Sequence, residues 1–97
     1  MKYEISEKAL EDLGEIWLYT VELWSVQQAD RYYQLIIDEI EYIAQYPDSG
    51  KSIDFVKVNY HVSKVKSHLI FYRQVNNRVS IIRILHEKMD IENRLSD

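Results

Sequence analysis

The sequence predicts an α+β fold of the order βααβββ, in which an antiparallel helical hairpin packs on one face of a mostly antiparallel four-stranded sheet. Apolar residues recur with the helical period over residues 7–45, and with a period of two after Gly50. Hydrophobic residues make up 46% of the chain, whereas Gly and Pro together number three, which excludes a disordered or linker-like chain. We therefore expect residues 1–97 to form a single domain.

The first strand and the first helix are predicted from the opening 23 residues. Residues 2–5 alternate polar and apolar side chains, which is the period of a half-buried strand. Ser6 is a good N-cap, because its hydroxyl can accept a hydrogen bond from the first helical turn. Apolar positions then share one helical face, namely Ala9, Leu13, Ile16, Trp17 and Thr20. These positions predict a helix over about 7–23.

The second helix has the clearest periodicity in the chain. Ser25 and Gln28 have the spacing of a capping box, in which the glutamine side chain reaches back to the serine. The buried face is predicted to contain Ala29, Tyr33, Ile36, Ile37, Ile40, Ile43 and Ala44. Residues 47–50 have strong turn chemistry and end the helix. Only Trp24 and Ser25 separate the two predicted helices, and so short a link between two long helices requires an antiparallel hairpin.

Three strands are predicted in the second half of the chain. Residues 56–62 alternate apolar and polar side chains, and residues 64–67 form a turn or an irregular strand edge. Residues 68–75 and 78–85 are the next two strands, and Asn76-Asn77 between them suits a tight hairpin because Asn tolerates positive φ. The polar tail, 86–97, is predicted to contain a short helical turn near 90–95.

The last two strands are apolar on both faces. Strict alternation places Leu69, Phe71, Val75, Val79, Ile81 and Leu85 on one face, and Ile70, Tyr72, Ile82 and Ile84 on the other. One helical hairpin covers only one face, so the other must be covered by the chain's own loops and tail or by another molecule. Alternation does not fix which face the helices take. We expect a partner to contact the second set or the neighbouring tail.

Charge and composition exclude several classes of function. Residues 1–48 carry three basic and eleven acidic groups, and residues 49–97 carry nine basic and five acidic groups. An acidic front half repels phosphate backbones, so sequence-specific nucleic-acid binding is not expected. The chain has no cysteine, no apolar run of membrane-spanning length and no signal-peptide pattern at its start. These features predict a cytoplasmic protein with no membrane partner.

One polar group of residues is a candidate catalytic site. By alternation Arg73 and Arg83 share a sheet face, His86 ends the last strand, and Lys64 and Lys66 precede the strand before it. If these residues converge, they could hold a scissile phosphate and move a proton, as in a metal-independent RNase. The alternative is that the arginines pair with acids such as Glu87 or Asp90, or with acidic side chains of a partner. No metal-ligand spacing and no cofactor motif are present, so neither a metal nor a cofactor is expected.

Trp24 is a candidate partner-binding residue. It lies at the tip of the predicted hairpin, where it is harder to cover than a tryptophan on a helix face. An exposed tryptophan at this place would be a binding anchor, because Trp is favoured at interface centres. Burial in the core and a role as anchor both remain open at this point.

Stretches along the whole chain resemble the ParE branch of the RelE/ParE superfamily of toxins from bacterial type II toxin–antitoxin modules. The matching stretches are YEIS at residues 3–6, Asp12-Leu13, Ile16, Tyr19, Trp24, Gln28-Ala29, PDSGK at 47–51, SHLIFYR at 67–73 and IRILHEKMD at 82–90. The closing motif, which contains Met89, is the most specific of them. Members often have glycine after the hairpin tryptophan, where this chain has Ser25.

The resemblance implies a toxin that is neutralised by a cognate antitoxin, whose C-terminal segment wraps around it. ParE-type toxins act on DNA gyrase and trap its cleaved-DNA intermediate, whereas the RNase branch is strongly basic. A net charge of −4 therefore favours a gyrase inhibitor that is not an enzyme over a RelE-type mRNA endonuclease that uses Arg73, Arg83 and His86.

A third interpretation is an inactive protein that serves only as a structural partner of its antitoxin. A homodimer, or a heterotetramer with the antitoxin, would cover exposed surface. The expected partner contacts are Trp24, Ile70, Tyr72, Arg73, Ile82, Arg83, Ile84, His86 and Met89.

Overall fold

The secondary structure follows the predicted order, with a short additional strand after the hairpin. The computed structural model describes residues 3–95; Lys2, at the start of the first predicted strand, and the last two residues of the tail lie outside it. The elements are β1 Tyr3–Ile5, α1 Glu7–Leu23, α2 Val26–Gln45, a 3-10 turn at Pro47–Ser49, β2 Lys51–Ser52, β3 Tyr60–Val65, β4 His68–Val75, β5 Arg78–His86 and α3 Ile91–Leu95.

Both long helices begin at the predicted serine caps. Ser6 Oγ accepts a hydrogen bond from the Ala9 N–H at 3.0 Å and donates one to the Ile82 carbonyl at 2.8 Å, so the cap also ties α1 to the sheet. Ser25 Oγ accepts from the Gln28 N–H at 3.0 Å. The reciprocal half of the capping box was predicted wrongly, because the Gln28 side chain accepts from Arg31 instead. One serine cap is thus enough to start α2.

The sheet is mixed and has five strands in the order β1-β5-β4-β3-β2. The prediction of a mostly antiparallel sheet is confirmed: β1 pairs in parallel with β5, and the other neighbours are antiparallel. Asn76 and Asn77, which form the predicted β4–β5 hairpin, have φ values of 52° and 63°. Both residues thus adopt the left-handed conformation that a tight hairpin turn needs.

The strand predicted over 56–62 begins later than expected. Only β3, from Tyr60, extends the sheet there, and residues 54–59 form turns that carry Phe55 with 82% of its surface exposed. Asp54 Oδ1 accepts from the Asn59 N–H at 2.8 Å, and Asn59 has a φ of 67°. A local Asp–Asn turn therefore replaces the first half of the predicted strand, since such side chains compete with sheet hydrogen bonds.

A β-bulge in β5 reverses the alternation of side chains predicted for that strand. Phe71 pairs with Arg83 and Tyr72 pairs with Ile81, which leaves Ile82 as an extra residue on β5. As a result Ile81 lies on the same face as Tyr72, whereas Ile82 packs on the face of Phe71. The predicted assignment of Ile81, and with it Val79, to the Phe71 face was therefore wrong, and so was that of Ile82 to the Tyr72 face.

The helical hairpin covers the face of the sheet that carries Ile70 and Tyr72. This main core consists of Ala9, Leu13, Ile36, Ile40, Ile43, Ile70, Tyr72, Val79, Ile81 and Ile84. Ile70, Tyr72 and Ile84 are fully or almost fully buried under the helices. They therefore lie under the helical hairpin rather than on a bare face of the sheet.

The second face of the sheet is covered by the chain itself. Its cluster consists of Ile53, Tyr60, Phe71, Leu85 and Leu95, with Val62, Leu69, Ile82 and Ile91 packed around it. Ile53 and Tyr60 bracket the turns after β2, and Ile91 and Leu95 belong to α3. Of the two alternatives left open, the chain's own loop and tail provide the cover, so burial of this face does not require a second molecule.

Candidate functional site

Asp12 and Arg83 form a bidentate ion pair between α1 and β5. Arg83 Nε lies 2.9 Å from Asp12 Oδ2, and Arg83 Nη2 donates to Asp12 Oδ1 at 3.0 Å. The two side chains are exposed by only 11% and 9%. Arg83 Nη1 also donates to the Arg94 carbonyl at 3.2 Å, so the guanidinium joins α1, β5 and α3. Because the pair is nearly buried, removing either side chain would leave the charge of the other without this ion pair in a poorly solvated place.

Asp12 also takes the place of a strand at the edge of β5. The pairing of β1 with β5 ends at Ile5 and Ile81, and the Ile84 N–H beyond it donates to Asp12 Oδ2 at 3.0 Å. A helix side chain therefore satisfies a backbone donor that would otherwise be buried and unpaired. The sequence analysis did not identify this role of Asp12. A signal was present, because Asp12 lies between Ala9 and Ile16 on the apolar face of α1.

A groove lies beside this ion pair, between α1 and the segment that follows β5. It has a volume of about 490 Å³. Its lining is Asp12, Glu15, Ile16, Tyr19, His68, Ile84, His86, Lys88 and Met89. Its lining combines apolar side chains, such as Ile16 and Met89, with the acidic Glu15 and the basic Lys88. Such a groove suits an extended or helical segment with mixed charges rather than a phosphate group.

Two of the residues that line the groove are histidines in contact with each other. The rings of His68 and His86 pack edge to face with centroids 5.2 Å apart, and His68 Nδ1 shares a 2.6 Å hydrogen bond with the Tyr32 hydroxyl. Burial, with a smaller contribution from His86, lowers the pKa of His68 to about 4, although Glu87 opposes the shift. His68 is therefore neutral near pH 7 and belongs to the packed wall rather than to a set of cationic groups.

The three residues of the RNase hypothesis are not brought together. Arg73 pairs with Ser80 and His86 pairs with His68, so the two pairs are separated by the five residue steps of β4 from His68 to Arg73, or roughly 17 Å along an antiparallel strand. Arg83 lies between them and is held by Asp12. The condition on which the RNase hypothesis depended, that Arg73, Arg83 and His86 converge on one cationic cleft, is not met in the structure, because the sheet spreads these residues along its length.

The acids named as partners of the arginines have other contacts. Lys64 Nζ lies 2.9 Å from Glu87, and this exposed pair lowers the pKa of the Glu87 carboxyl. Asp90 Oδ2 accepts from Asn93 Nδ2 at 2.5 Å. The alternative that the arginines pair with acids was correct for Arg83, but its acid is Asp12 on α1 rather than a residue of the tail.

The remaining candidate residues differ in their exposure. Trp24 ends α1 at the tip of the hairpin and is 73% exposed, which rules out burial in the core. Arg73 and Met89 are also exposed, and Met89 lines the groove together with the half-exposed His86. Among residues 3–95, no three His, Asp or Glu side chains are close enough to hold a metal ion, and no helix is long and apolar enough to span a membrane.

The fold and the groove define a small α+β protein with a helical hairpin on a mixed sheet. The model of the ParE toxin family of type II toxin–antitoxin systems, parDE, matches residues 3–91. Toxin ParE1 of Caulobacter vibrioides is 39% identical over 88 residues, which is 91% of this chain and 91% of that protein. Toxin ParE1 of Mycobacterium tuberculosis is 32% identical over 95 residues, 97% of each.

A solved structure has the same fold. A chain from the chromosomal ParDE TA system of P. aeruginosa superposes with a TM-score of 0.78 and 19% identity, covering 89% of this chain and 95% of that chain. The chain described here belongs to the ParE toxin family of type II toxin–antitoxin systems. The resemblance read from its motifs is thereby confirmed.

Proposed function

We propose that this ParE-family toxin inhibits DNA gyrase by binding it, and that a cognate antitoxin neutralises the toxin. The observation that carries the proposal is the separation of Arg73, Arg83 and His86, because a metal-independent RNase needs such groups around one phosphate. The net charge of −4 also opposes binding to RNA. DNA gyrase as the target, and the cytoplasm as the place of action, rest on the resemblance to ParE-type toxins.

The antitoxin is proposed to occupy the groove beside α1. Ile16, Tyr19 and Met89 offer it apolar contacts, and Glu15 and Lys88 offer charges of both signs. This arrangement fits a segment that folds along the toxin as it binds. Trp24, at the hairpin tip, and Arg73, on the far part of the sheet, are exposed and remain proposed contacts for the antitoxin or for gyrase.

A supercoiling assay with purified gyrase tests the target. Toxin in excess is expected to stop supercoiling and to accumulate cleaved DNA, and prior addition of antitoxin is expected to restore supercoiling. Unimpaired supercoiling at toxin excess would overturn the proposal. In cells that express the toxin, transcripts are expected to stay intact. If the toxin cleaves mRNA, and the His86→Ala variant folds but no longer does so, the result would favour the endonuclease instead.

A further inference from the structure

The three long strands of the sheet, β3, β4 and β5, carry no acidic residue. From residue 55 to residue 86 the sequence contains neither Asp nor Glu, but it contains six cations, namely Lys57, Lys64, Lys66, Arg73, Arg78 and Arg83. The acids of the first half of the chain lie mostly on α1 and α2. The helical layer is therefore acidic and the sheet is basic. A basic surface can attract an anion although the whole chain has a net charge of −4, because salt limits the reach of exposed charges to about 10 Å.

Two of these cations, Arg73 and Arg78, are exposed and have no ion-pair partner among residues 3–95. By contrast, Lys64 and Arg83 form ion pairs inside the chain. On the same face of the sheet, Glu4 of β1 lies two strands away from Arg73, because β5 stands between β1 and β4, and this spacing is roughly 10 Å. The two guanidinium groups are therefore available to an anion from outside the chain.

Both arginines belong to the turn end of β4 and β5, which projects from the sheet. The pairing of β3 with β4 ends at Arg73, and the pairing of β1 with β5 begins at Val79, so residues 74–78 have no neighbouring strand outside their own pair. Every residue from 73 to 78 is exposed. We call residues 73–78 the β4–β5 tip. A two-stranded ribbon of this kind is narrow enough to approach a groove of duplex DNA.

Arg73 and Arg78 lie on the same face of the β4–β5 tip. Arg73 pairs with Tyr60, which belongs to the cluster on the second face of the sheet. Arg78 pairs with Val75, two residues further along β4, so alternation puts it on that face as well. The two arginines are diagonal neighbours, with Cβ atoms roughly 7 Å apart. The sheet separates them from the acidic helices, which cover the opposite face.

The other polar side chains of the β4–β5 tip are neutral amides. A recess of about 450 Å³ at the tip is lined by Asn59, His61, Gln74, Asn76 and Asn77. None of these five lining residues is acidic, and the amides both donate and accept hydrogen bonds. Residues 73–78 include one apolar side chain, Val75, which is 38% exposed. A protein interface usually has an apolar centre, which this tip lacks, whereas guanidinium and amide groups commonly contact the phosphates and sugars of DNA.

We propose that the β4–β5 tip contacts the phosphate backbone of the DNA that gyrase holds, with Arg73 and Arg78 each bound to a phosphate. The contact does not depend on the DNA sequence, because phosphates carry no base information. The net charge of −4 makes binding to free DNA weak, so the contact forms when gyrase holds DNA beside the bound toxin. This inference rests on the proposed function, and it assigns Arg73 to the gyrase complex rather than to the antitoxin.

Removal of both guanidinium groups tests the contact. Fluorescence anisotropy of labelled toxin measures its affinity for gyrase alone and for gyrase bound to linear duplex DNA. The wild type is expected to bind the gyrase–DNA complex more tightly than gyrase alone. The double variant Arg73→Gln, Arg78→Gln is expected to bind gyrase alone as the wild type does, but to bind the gyrase–DNA complex roughly tenfold more weakly. For that complex, the slope of log affinity against log salt concentration should become shallower by about 2, because two phosphate contacts are lost.

Two control variants separate the site from the overall charge. Arg31→Gln removes an exposed guanidinium from α2, on the helical side of the sheet, and is expected to leave both affinities unchanged. Arg73→Lys with Arg78→Lys retains both charges and is expected to keep the salt dependence of the wild type. All variants are expected to keep the melting temperature and the antitoxin affinity, because the tip is exposed and lies roughly 17 Å along β4 from His68 in the groove beside α1.

The outcomes separate this inference from the proposed function. If the toxin inhibits gyrase but the glutamine double variant binds the gyrase–DNA complex as tightly as the wild type, only this inference is overturned. If the double variant loses affinity equally for gyrase alone, the arginines contact acidic side chains of gyrase and the inference is wrong. It is also wrong if the lysine variant loses as much affinity as the glutamine variant, because charge would then not carry the contact. If the wild type does not bind gyrase, both proposals fail.

Discussion

Arg83 on β5 and Asp12 on α1 form a nearly buried, two-point ion pair that fastens the first helix to the sheet. The same carboxylate accepts the Ile84 N–H, and the guanidinium donates to the Arg94 carbonyl near the end of the chain. The pair is therefore a structural junction of three elements. Arg83, a candidate phosphate ligand in the sequence analysis, is bound to the Asp12 carboxylate and would have to lose that contact in order to bind a substrate.

Removal of the Asp12 carboxylate is expected to destabilise the fold strongly. Asp12→Ala leaves the Arg83 charge without this acid and removes the acceptor of the Ile84 N–H, so we expect a loss of about 3–5 kcal/mol in the free energy of unfolding. Urea denaturation followed by circular dichroism measures the loss. Glu15→Ala, in the next turn and exposed, is the control and should change stability by less than about 0.5 kcal/mol. Equal, small effects of both substitutions would show that the pair contributes little.

The two glycines are expected to respond to alanine in opposite directions. Gly14→Ala should raise the free energy of unfolding by about 0.5–1 kcal/mol, because the new methyl group meets nothing and the helix gains a better helix former. Gly50→Ala should lower it, because its Cβ atom would come within 2.9 Å of ring carbons of Tyr72. Thermal melts of both variants measure these shifts. Stabilisation by Gly50→Ala would contradict the close approach of the Tyr72 ring.

The Tyr72 hydroxyl is expected to stabilise the end of the hairpin. It donates to the Pro47 carbonyl at 2.8 Å and accepts from the Gly50 N–H at 2.9 Å, so β4 holds the turn that follows α2. Tyr72→Phe removes a partner from two partly buried backbone groups and should cost about 1–3 kcal/mol in unfolding free energy. Tyr42→Phe, on an exposed ring of α2, is the control for loss of a hydroxyl, and we expect it to have little effect. A cost no larger than that of Tyr42→Phe would show that the two hydrogen bonds do not stabilise the turn.

Stability is expected to fall as the pH decreases from about 6.5 to about 4, the interval between the ordinary pKa of histidine and the lowered pKa of His68. In that interval the His68 ring is protonated in the unfolded chain but largely neutral in the folded chain, so acid favours unfolding. The contribution of His68 is complete above about pH 6.5, and its slope stays below about 1.4 kcal/mol per pH unit, the limit for one proton.

Urea midpoints measured across this pH range test the effect, and a titration of the His68 ring signal by NMR locates its pKa. In His68→Gln the part of the slope that belongs to this residue should disappear, whereas the contributions of the carboxylates remain. A folded-state pKa near the ordinary value for His68 would show that burial does not disfavour its charged form.

The order of the elements could be predicted because local signals agreed with the tertiary structure. Ser6 and Ser25 start both helices, and Asn76-Asn77 makes the tight turn between β4 and β5, as their chemistry indicates. These features depend on neighbours within a few residues. The same is true of the helical periodicity, which a single amphipathic face produces without reference to the rest of the chain.

The features that could not be predicted depend on contacts between distant residues. The bulge at Ile82 shifts the register of β5 and cannot be read from alternation, because a single extra residue exchanges the faces of its neighbours. The pairing of Asp12 with Arg83 spans 71 positions, so spacing along the chain gives no sign of it. For the same reason the sequence could not decide whether Arg73 and His86 converge, and the structure shows that they lie apart in the sheet.

The cover that α3 provides for the second face of the sheet gives the last prediction. Leu95 is buried against the cluster of Phe71 and Leu85, and Lys57 Nζ donates to the Leu95 carbonyl at 3.1 Å, which holds the end of α3 against the turns before β3. Leu95→Ala should cost about 2 kcal/mol in the free energy of unfolding, the low end for a buried leucine, because a helix of one turn can settle into the space.

The same substitution should increase the binding of a hydrophobic dye to the native protein, since Phe71 and Leu85 lose part of their cover. Glu92→Ala, on the exposed side of α3, is the matched control and should change neither the unfolding midpoint nor the dye signal. If Leu95→Ala leaves both measurements unchanged, α3 does not cover the sheet in solution. The second face would then be free for a partner, as the alternation of apolar residues in β4 and β5 first indicated.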